Sequence, residues 1–140
     1  MSENELDEHR LRRIREAFAL VPYAKLIGLE LGKMKPGEAN LYLEVRDQLR
    51  QNQGVVHGGA VASLIDTAAA FAVVTKLESG ERVTTSDLTI HYLRPITAGR
   101  MTARARVVRG GRRLFVLSID VTDDAAALVA TAVTTYIKIG

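Results

Sequence analysis

The sequence predicts an α+β fold in which six antiparallel strands curl around one buried helix. Three observations carry the prediction. The 18-residue stretch Gly58 to Thr75 holds a single charge, Asp66; two β-type runs precede it; four more follow in succession. Antiparallel strands that share one apolar helix bury their inner face against it as two layers. A chain of 140 residues can enclose such a core as one domain without a disulfide or metal staple.

Residues 4–20 read as an amphipathic helix, with Leu11, Ile14, Phe18 and Val21 on one stripe and Arg12, Arg13, Arg15 and Glu16 beside it. Pro22 closes or redirects it. Leu26–Met34 and Ala39–Val45 form the expected hairpin, turned by Lys35, Pro36 and Gly37. Residues 1–24 are thus an N-terminal helical segment ahead of a main domain over 25–140. Gly58 to Glu78 is too long for one strand and apolar nearly all round, which predicts a helix buried on most faces. Six alanines between Gly59 and Ala72 keep it thin enough for a sheet to approach closely. After Ser79 and Gly80 come Val83–Leu93, Arg100–Arg109, Leu114–Val121 and Leu128–Ile139, alternating in pattern and rich in Val, Ile and Thr. In the first of these, Leu88, Ile90 and Tyr92 share a face opposite Asp87, Thr89 and His91. A single layer of six strands leaves a second face and an edge to cover, which predicts a dimer or larger assembly.

Composition excludes several classes of function. With 47% hydrophobic and 25% charged residues the chain is not disordered. Zero cysteines exclude disulfides, a thiolate nucleophile, iron–sulfur clusters and cysteine zinc sites. His9, His57 and His91 stand far apart, so no metal site is expected. No GxSxG, GxxxxGK or GxGxxG segment occurs. The first residues, MSENELDEHR, are polar and acidic, unlike a secretory signal, and a charge in mid-bilayer costs ~3 kcal/mol. A cytoplasmic protein with no membrane partner is expected.

Charge is informative by position. The net is +3, yet Leu88 to Ile119 holds seven arginines and no Asp or Glu, leaving the remaining residues at −4. The planar guanidinium fork suits phosphate. Nucleic acid fits poorly, because only 5% of residues are aromatic and there is no Trp for base stacking. A small polyphosphate ligand fits better; a solvated strand face is the alternative.

Two features could carry chemistry. Asp66, alone in its apolar helix, is expected to be mostly buried, and burial of an unpaired carboxylate is costly. It is either hydrogen-bonded to a neighbour such as Ser63 or Thr67, or catalytic. Gln51 to Ala60, QNQGVVHGGA, sets consecutive glycines at a helix start, where free backbone N–H groups and the helix dipole favour an anion or a polarised carbonyl. Gly58 and Asp66 are eight residues apart, about 12 Å along a helix axis, too far to meet at one carbon. If both act together, one must come from a second copy. His57 is an acid–base group or a loop-fixing hydrogen bonder. His91 reads as surface or packing, and His9 carries no signal.

The run Gln51-x-x-Gly54-x-x-His57-Gly58-Gly59, followed by Leu64-Ile65-Asp66, resembles hotdog-fold acyl-CoA thioesterases of the phenylacetate-degradation type, a group that includes some 4-hydroxybenzoyl-CoA thioesterases. Thr85-Ser86-Asp87-Leu88, Tyr92-Leu93-Arg94-Pro95 and the Arg109-Gly110-Gly111-Arg112 turn extend the similarity over roughly residues 25–138. The resemblance implies hydrolysis of an acyl- or aroyl-CoA at sites shared across a homodimer, with dimers commonly paired as tetramers. It implies that the Gly58 N–H polarises the thioester carbonyl and that Asp66 of the other subunit is nucleophile or general base. Gln51, or Asn52 if the loop shifts by one, would orient water or leaving group. Thr85 would help place water or carboxylate, although strict alternation sets it opposite Leu88, Ile90 and Tyr92, so a bulge is required. Coenzyme A, present only as part of the substrate, would lay its phosphates near Tyr92, Arg94 and Pro95 and near Arg109, Gly110, Gly111, Arg112 and Arg113. No separate cofactor is implied. A hotdog dehydratase or hydratase, and a non-catalytic acyl-CoA-binding module, are the competing readings.

Overall fold

A computed structural model describes residues 5–140. The elements run α1 (Glu8–Ala19), α2 (Pro22–Ile27), β1 (Glu30–Lys35), β2 (Glu38–Glu44), a single 3-10 turn (Asp47–Leu49), α3 (Gly58–Val74), β3 (Arg82–Tyr92), β4 (Arg100–Gly110), β5 (Leu114–Thr122) and β6 (Leu128–Ile139). All six strands pair antiparallel in the order β1-β2-β4-β5-β6-β3. Helix α3 lies across the inner face of that sheet, so the chain leaves β2 near one edge and enters β3 at the other.

Helix α1 starts where Asp7 accepts the Arg10 N–H at 2.7 Å, satisfying one of the orphan donors of a helix start. Residue 4, the expected start, lies outside the described residues. The expected stripe packs inward: Ile14 is buried, and Phe18 meets Phe71 of α3 edge-on with ring centroids 5.2 Å apart. One expectation fails here. Leu26 and Ile27 belong to a helix rather than to the first strand, because Pro22 at a helix start is pre-set for helical φ and begins α2. Gly28, at φ 87°, ends α2 in the left-handed conformation that releases the chain into β1.

The sheet's inner face is built by the expected alternation. Ala39, Leu41 and Leu43 of β2, Met101, Ala103 and Ala105 of β4, and Phe115, Leu117, Ile119 and Val121 of β5 are buried against Leu64, Ile65, Ala68, Ala69 and Ala72 of α3. Arg104 and Arg106 point to the opposite, outer face and are exposed. Helix α3 ends at Val74, four residues short of the expected Glu78. Thr75 closes it, donating to the Ala72 carbonyl at 2.6 Å while accepting the Gly37 N–H of the β1–β2 turn at 2.7 Å. Among the described residues no helix is long and apolar enough to cross a membrane.

Leu64 is fully buried at the centre of this layer. Leu64→Ala should destabilise the fold by ~2–5 kcal/mol, the transfer term plus the cavity, whereas Arg104→Ala should stay within ~0.5 kcal/mol. Urea unfolding of the two variants measures the difference.

Candidate active site

The loop before α3 is tied down by its own backbone. The Gln51 N–H donates to the Val55 carbonyl at 2.9 Å, Val56 donates to Ile96 at 2.8 Å, and His57 donates to Leu49 at 2.8 Å. His57 is then the N-cap of α3, its Nδ1 accepting the Gly59 N–H at 2.8 Å. An accepting Nδ1 requires the neutral ring with its proton on Nε2. Of the two expected roles, the loop-fixing one is what the geometry displays. It also explains the second glycine: a Cβ on Gly59 would lie 2.9 Å from that same Nδ1.

The first donors of α3 can be counted. Gly59 is taken by His57 Nδ1, and Ala60 and Val61 donate to the His57 carbonyl at 2.9 and 3.4 Å. The Gly58 N–H is left without a partner among the described residues, at the positive end of the helix. Gly58 lines a cleft of about 300 Å³ together with Gln51, Tyr92, Arg94, Pro95 and the apolar Val56 and Val61. The Tyr92 hydroxyl donates to the Gly58 carbonyl at 3.0 Å, and its ring would stand 3.4 Å from a Cβ at Gly58. Two separate segments singled out from the sequence, Gln51–Ala60 and Tyr92–Pro95, thus converge here. Asn52 is exposed in the adjoining turn and does not line the cleft.

Asp66 lies two turns further along α3 and is half-buried rather than enclosed. Its partners differ from those expected on its own helix. Ser63 donates to the Gly59 carbonyl at 2.9 Å and bonds the Tyr23 hydroxyl at 2.7 Å. Asp66 Oδ1 instead accepts from Thr85 Oγ1 of β3 at 2.9 Å and from the Tyr136 hydroxyl of β6 at 2.6 Å. The required bulge is present: Thr85 pairs with Tyr136 but Asp87 pairs with Thr135, so Ser86 is the extra residue. The step turns Thr85 inward with Val83, on the side of the later Leu88 and Ile90. Buried Thr134 steadies the bulge by donating to the Asp87 carbonyl at 2.6 Å.

Tyr136 was not singled out from the sequence, because it sits in the alternation of β6 like any apolar core residue; only its hydroxyl, next to a half-buried carboxylate, distinguishes it. Leu64 and Phe71 of α3 belong to the core. The β4–β5 turn stands apart from the cleft. Arg112 and Arg113 border a groove of about 590 Å³ with Arg82 at the opposite end of β3, and Arg109, Gly110 and Gly111 are exposed beside it. Ten residues of strand, about 33 Å, separate Arg82 from Tyr92. Arg82 was also missed, lying outside the arginine-rich segment. No group of three or more His, Asp or Glu side chains suited to a metal occurs among the described residues.

Loss of the His57 cap should cost ~1 kcal/mol. Thermal unfolding of His57→Ala should show that loss, and His57→Asn, which can cap in the same way, should recover most of it.

Comparison with known proteins gives the family and the fold. The thioesterase superfamily model matches residues 53–130. A Saccharolobus solfataricus protein provisionally named an esterase is 34% identical over 111 residues, 79% of this chain and 73% of that one. The medium/long-chain acyl-CoA thioesterase YigI of Salmonella typhimurium is 29% identical over 92% of this chain and 94% of its own. The structure of the E. coli PaaI protein, from the phenylacetic acid degradation operon, superposes with a TM-score of 0.87 at 28% identity, covering 94% of this chain and 95% of that one. The chain belongs to the thioesterase superfamily and has its hotdog fold.

Proposed function

We propose that the protein hydrolyses acyl- or aroyl-CoA, consuming one water and releasing the carboxylic acid and free coenzyme A. The observation that carries this reading is the unpaired Gly58 N–H at the start of α3, opening on the cleft and set on the same helix as a carboxylate held by two hydroxyls. The N–H and helix dipole stabilise the negative charge that grows on a thioester oxygen under attack, a contribution of ~3 kcal/mol for one such donor. Asp66 serves as base toward water or as nucleophile at the carbonyl carbon. By either route the C–S bond breaks, the thiolate gains a proton, and the aspartate is regenerated. Gln51, in the cleft beside Gly58, orients water or leaving group; Thr85 places the carboxylate. No separate cofactor takes part, and a coenzyme A substrate supports a cytoplasmic setting.

A second copy joined antiparallel along the β3 edge resolves the 12 Å separation of Gly58 and Asp66 along α3. With the two-fold through Thr89 and the extra residue of the bulge, Ser86, absorbed in the ladder, Thr85 stands opposite the partner's Tyr92, so Asp66 comes beside the partner's Gly58. The same register sets Arg82, with Arg112 and Arg113 behind it, opposite the partner's Pro95. Both groups of residues assigned to the coenzyme A phosphates then border one site. The dimer, and its pairing into a tetramer, are part of this proposal. A dehydratase would need a histidine paired with an acid in a different motif, whereas His57 caps α3 through Nδ1 and has no carboxylate partner among the described residues.

Free-thiol release from short, medium, long and aryl acyl-CoAs tests the function. Turnover should fall at least roughly a hundredfold in Asp66→Asn with acyl-CoA still bound. Binding without thiol release in the unmodified protein would point to a non-catalytic acyl-CoA module. Sedimentation should give two or four times the 15.3 kDa of one chain.

A further inference from the structure

We propose that Tyr136 is the positioning residue of Asp66: with Thr85 it holds Oδ1, so that Oδ2 is the oxygen that meets the substrate or its water. The proposal rests on the thioesterase reading for its consequence in catalysis, but its geometry stands alone. Thr85 and Tyr136 are direct cross-strand partners, the last pair before the bulge, and both hydroxyls converge on one carboxylate oxygen. The Tyr136 hydroxyl is also 2.7 Å from the Asp66 main-chain carbonyl. One phenol therefore spans the backbone and the side chain of the same residue, fixing the helix turn and the carboxylate rotamer together. Among the described residues no hydrogen bond falls on Oδ2.

A tyrosine ring only 4% exposed must give its hydroxyl a partner inside the protein, and here that partner is the carboxylate. Burial, and after it the hydrogen bond to Asp66, push the ionisation of Tyr136 upward, so it stays an O–H donor across the pH range of any assay. Donors to a carboxylate stabilise its charged form. The other groups around Asp66 do not replace them. Helix α3 carries no second charge; Arg82 and Asp87 of β3 are exposed; and Lys138, two residues along β6, is held by Glu81 at 2.8 Å.

Two readouts test the proposal. The Asp66 carboxyl-carbon resonance, recorded by NMR at one neutral pH, should move in Tyr136→Phe, because the carboxylate has lost a donor. In the assay, kcat should fall roughly 10- to 100-fold with little change in KM. Site-specific 3-fluorotyrosine at 136, a stronger donor of nearly the same shape, should move the resonance the other way, and it serves if the phenylalanine variant does not fold. An Asp66 resonance unmoved by either change overturns the proposal, even if stability drops. The NMR measurement needs no turnover, so a protein that releases no thiol would lose the thioesterase reading while this one was still decided.

Discussion

A carboxylate set in the middle of an otherwise apolar helix has to be met by donors from outside that helix, and much of this structure follows from that need. The residues one turn away from Asp66 on α3 are Ala62, Ser63, Ala69 and Ala70, and the one with a hydroxyl, Ser63, is spent on the Gly59 carbonyl and Tyr23. The donors come from the two strands at the far side of the sheet. For both to reach one oxygen, β3 and β6 must be in a register that pairs Thr85 with Tyr136, and β3 must then shift by a residue so that Leu88 and Ile90 still face inward. Sheet register, bulge and carboxylate geometry are one constraint seen from three sides. A slip of β3 by one residue would withdraw Thr85 and leave Asp66 short of a donor.

The start of α3 obeys a comparable economy. A helix begins with N–H groups that need partners, and a nearby imidazole and carbonyl take three of them, leaving one. His57 does not need to touch substrate to matter: by engaging Gly59 it selects Gly58 as the exposed donor. The two adjacent glycines therefore answer different demands. Gly59 makes room for the imidazole that caps the helix, and Gly58 stands against the Tyr92 ring where the cleft opens.

These distinctions mark what a sequence can and cannot carry. Alternation and apolar length are local patterns, so the strands, the buried helix and the inner face of β4 were legible, as was the need for a bulge, which follows from parity between Thr85 and Leu88. The identity of the donors to Asp66 was not legible, since Tyr136 is 70 residues away and only the cross-strand pairing brings it near. The same limit explains the misplaced start of β1: Leu26 and Ile27 suit a strand, but Pro22 and Gly28 bracket a helix of six residues too short to show a period. The arginine-rich segment looked like one feature and resolves into several. Arg94 lines the cleft, Arg104 and Arg106 face outward, and Arg112 and Arg113 join Arg82 across the sheet. Arg100 is structural, stacked 3.9 Å over Tyr42 and bonded to Glu30 at 2.9 Å.

The two edges of the sheet are treated differently, and this bears on where a second copy would join. An open edge strand presents unpaired N–H and C=O groups, and proteins cover or blunt such edges. At β1 the edge is short, its register shifts between Leu31 and Met34, and Arg15 of α1 occupies the Leu31 and Gly32 carbonyls at 3.3 and 2.9 Å. The other edge, β3, is 11 residues long, and no helix end or arginine closes off its backbone in the same way among the described residues. Asp66 lies on the β3 side of α3, and Tyr92 at the end of that strand touches Gly58. An association through β1 would leave the two halves of the site where they are, about 12 Å apart along one helix. An antiparallel association through β3, as proposed above, would complete a second ladder and bring each half of the site to its counterpart, so the edge left open is the one from which the proposed chemistry would need a neighbour.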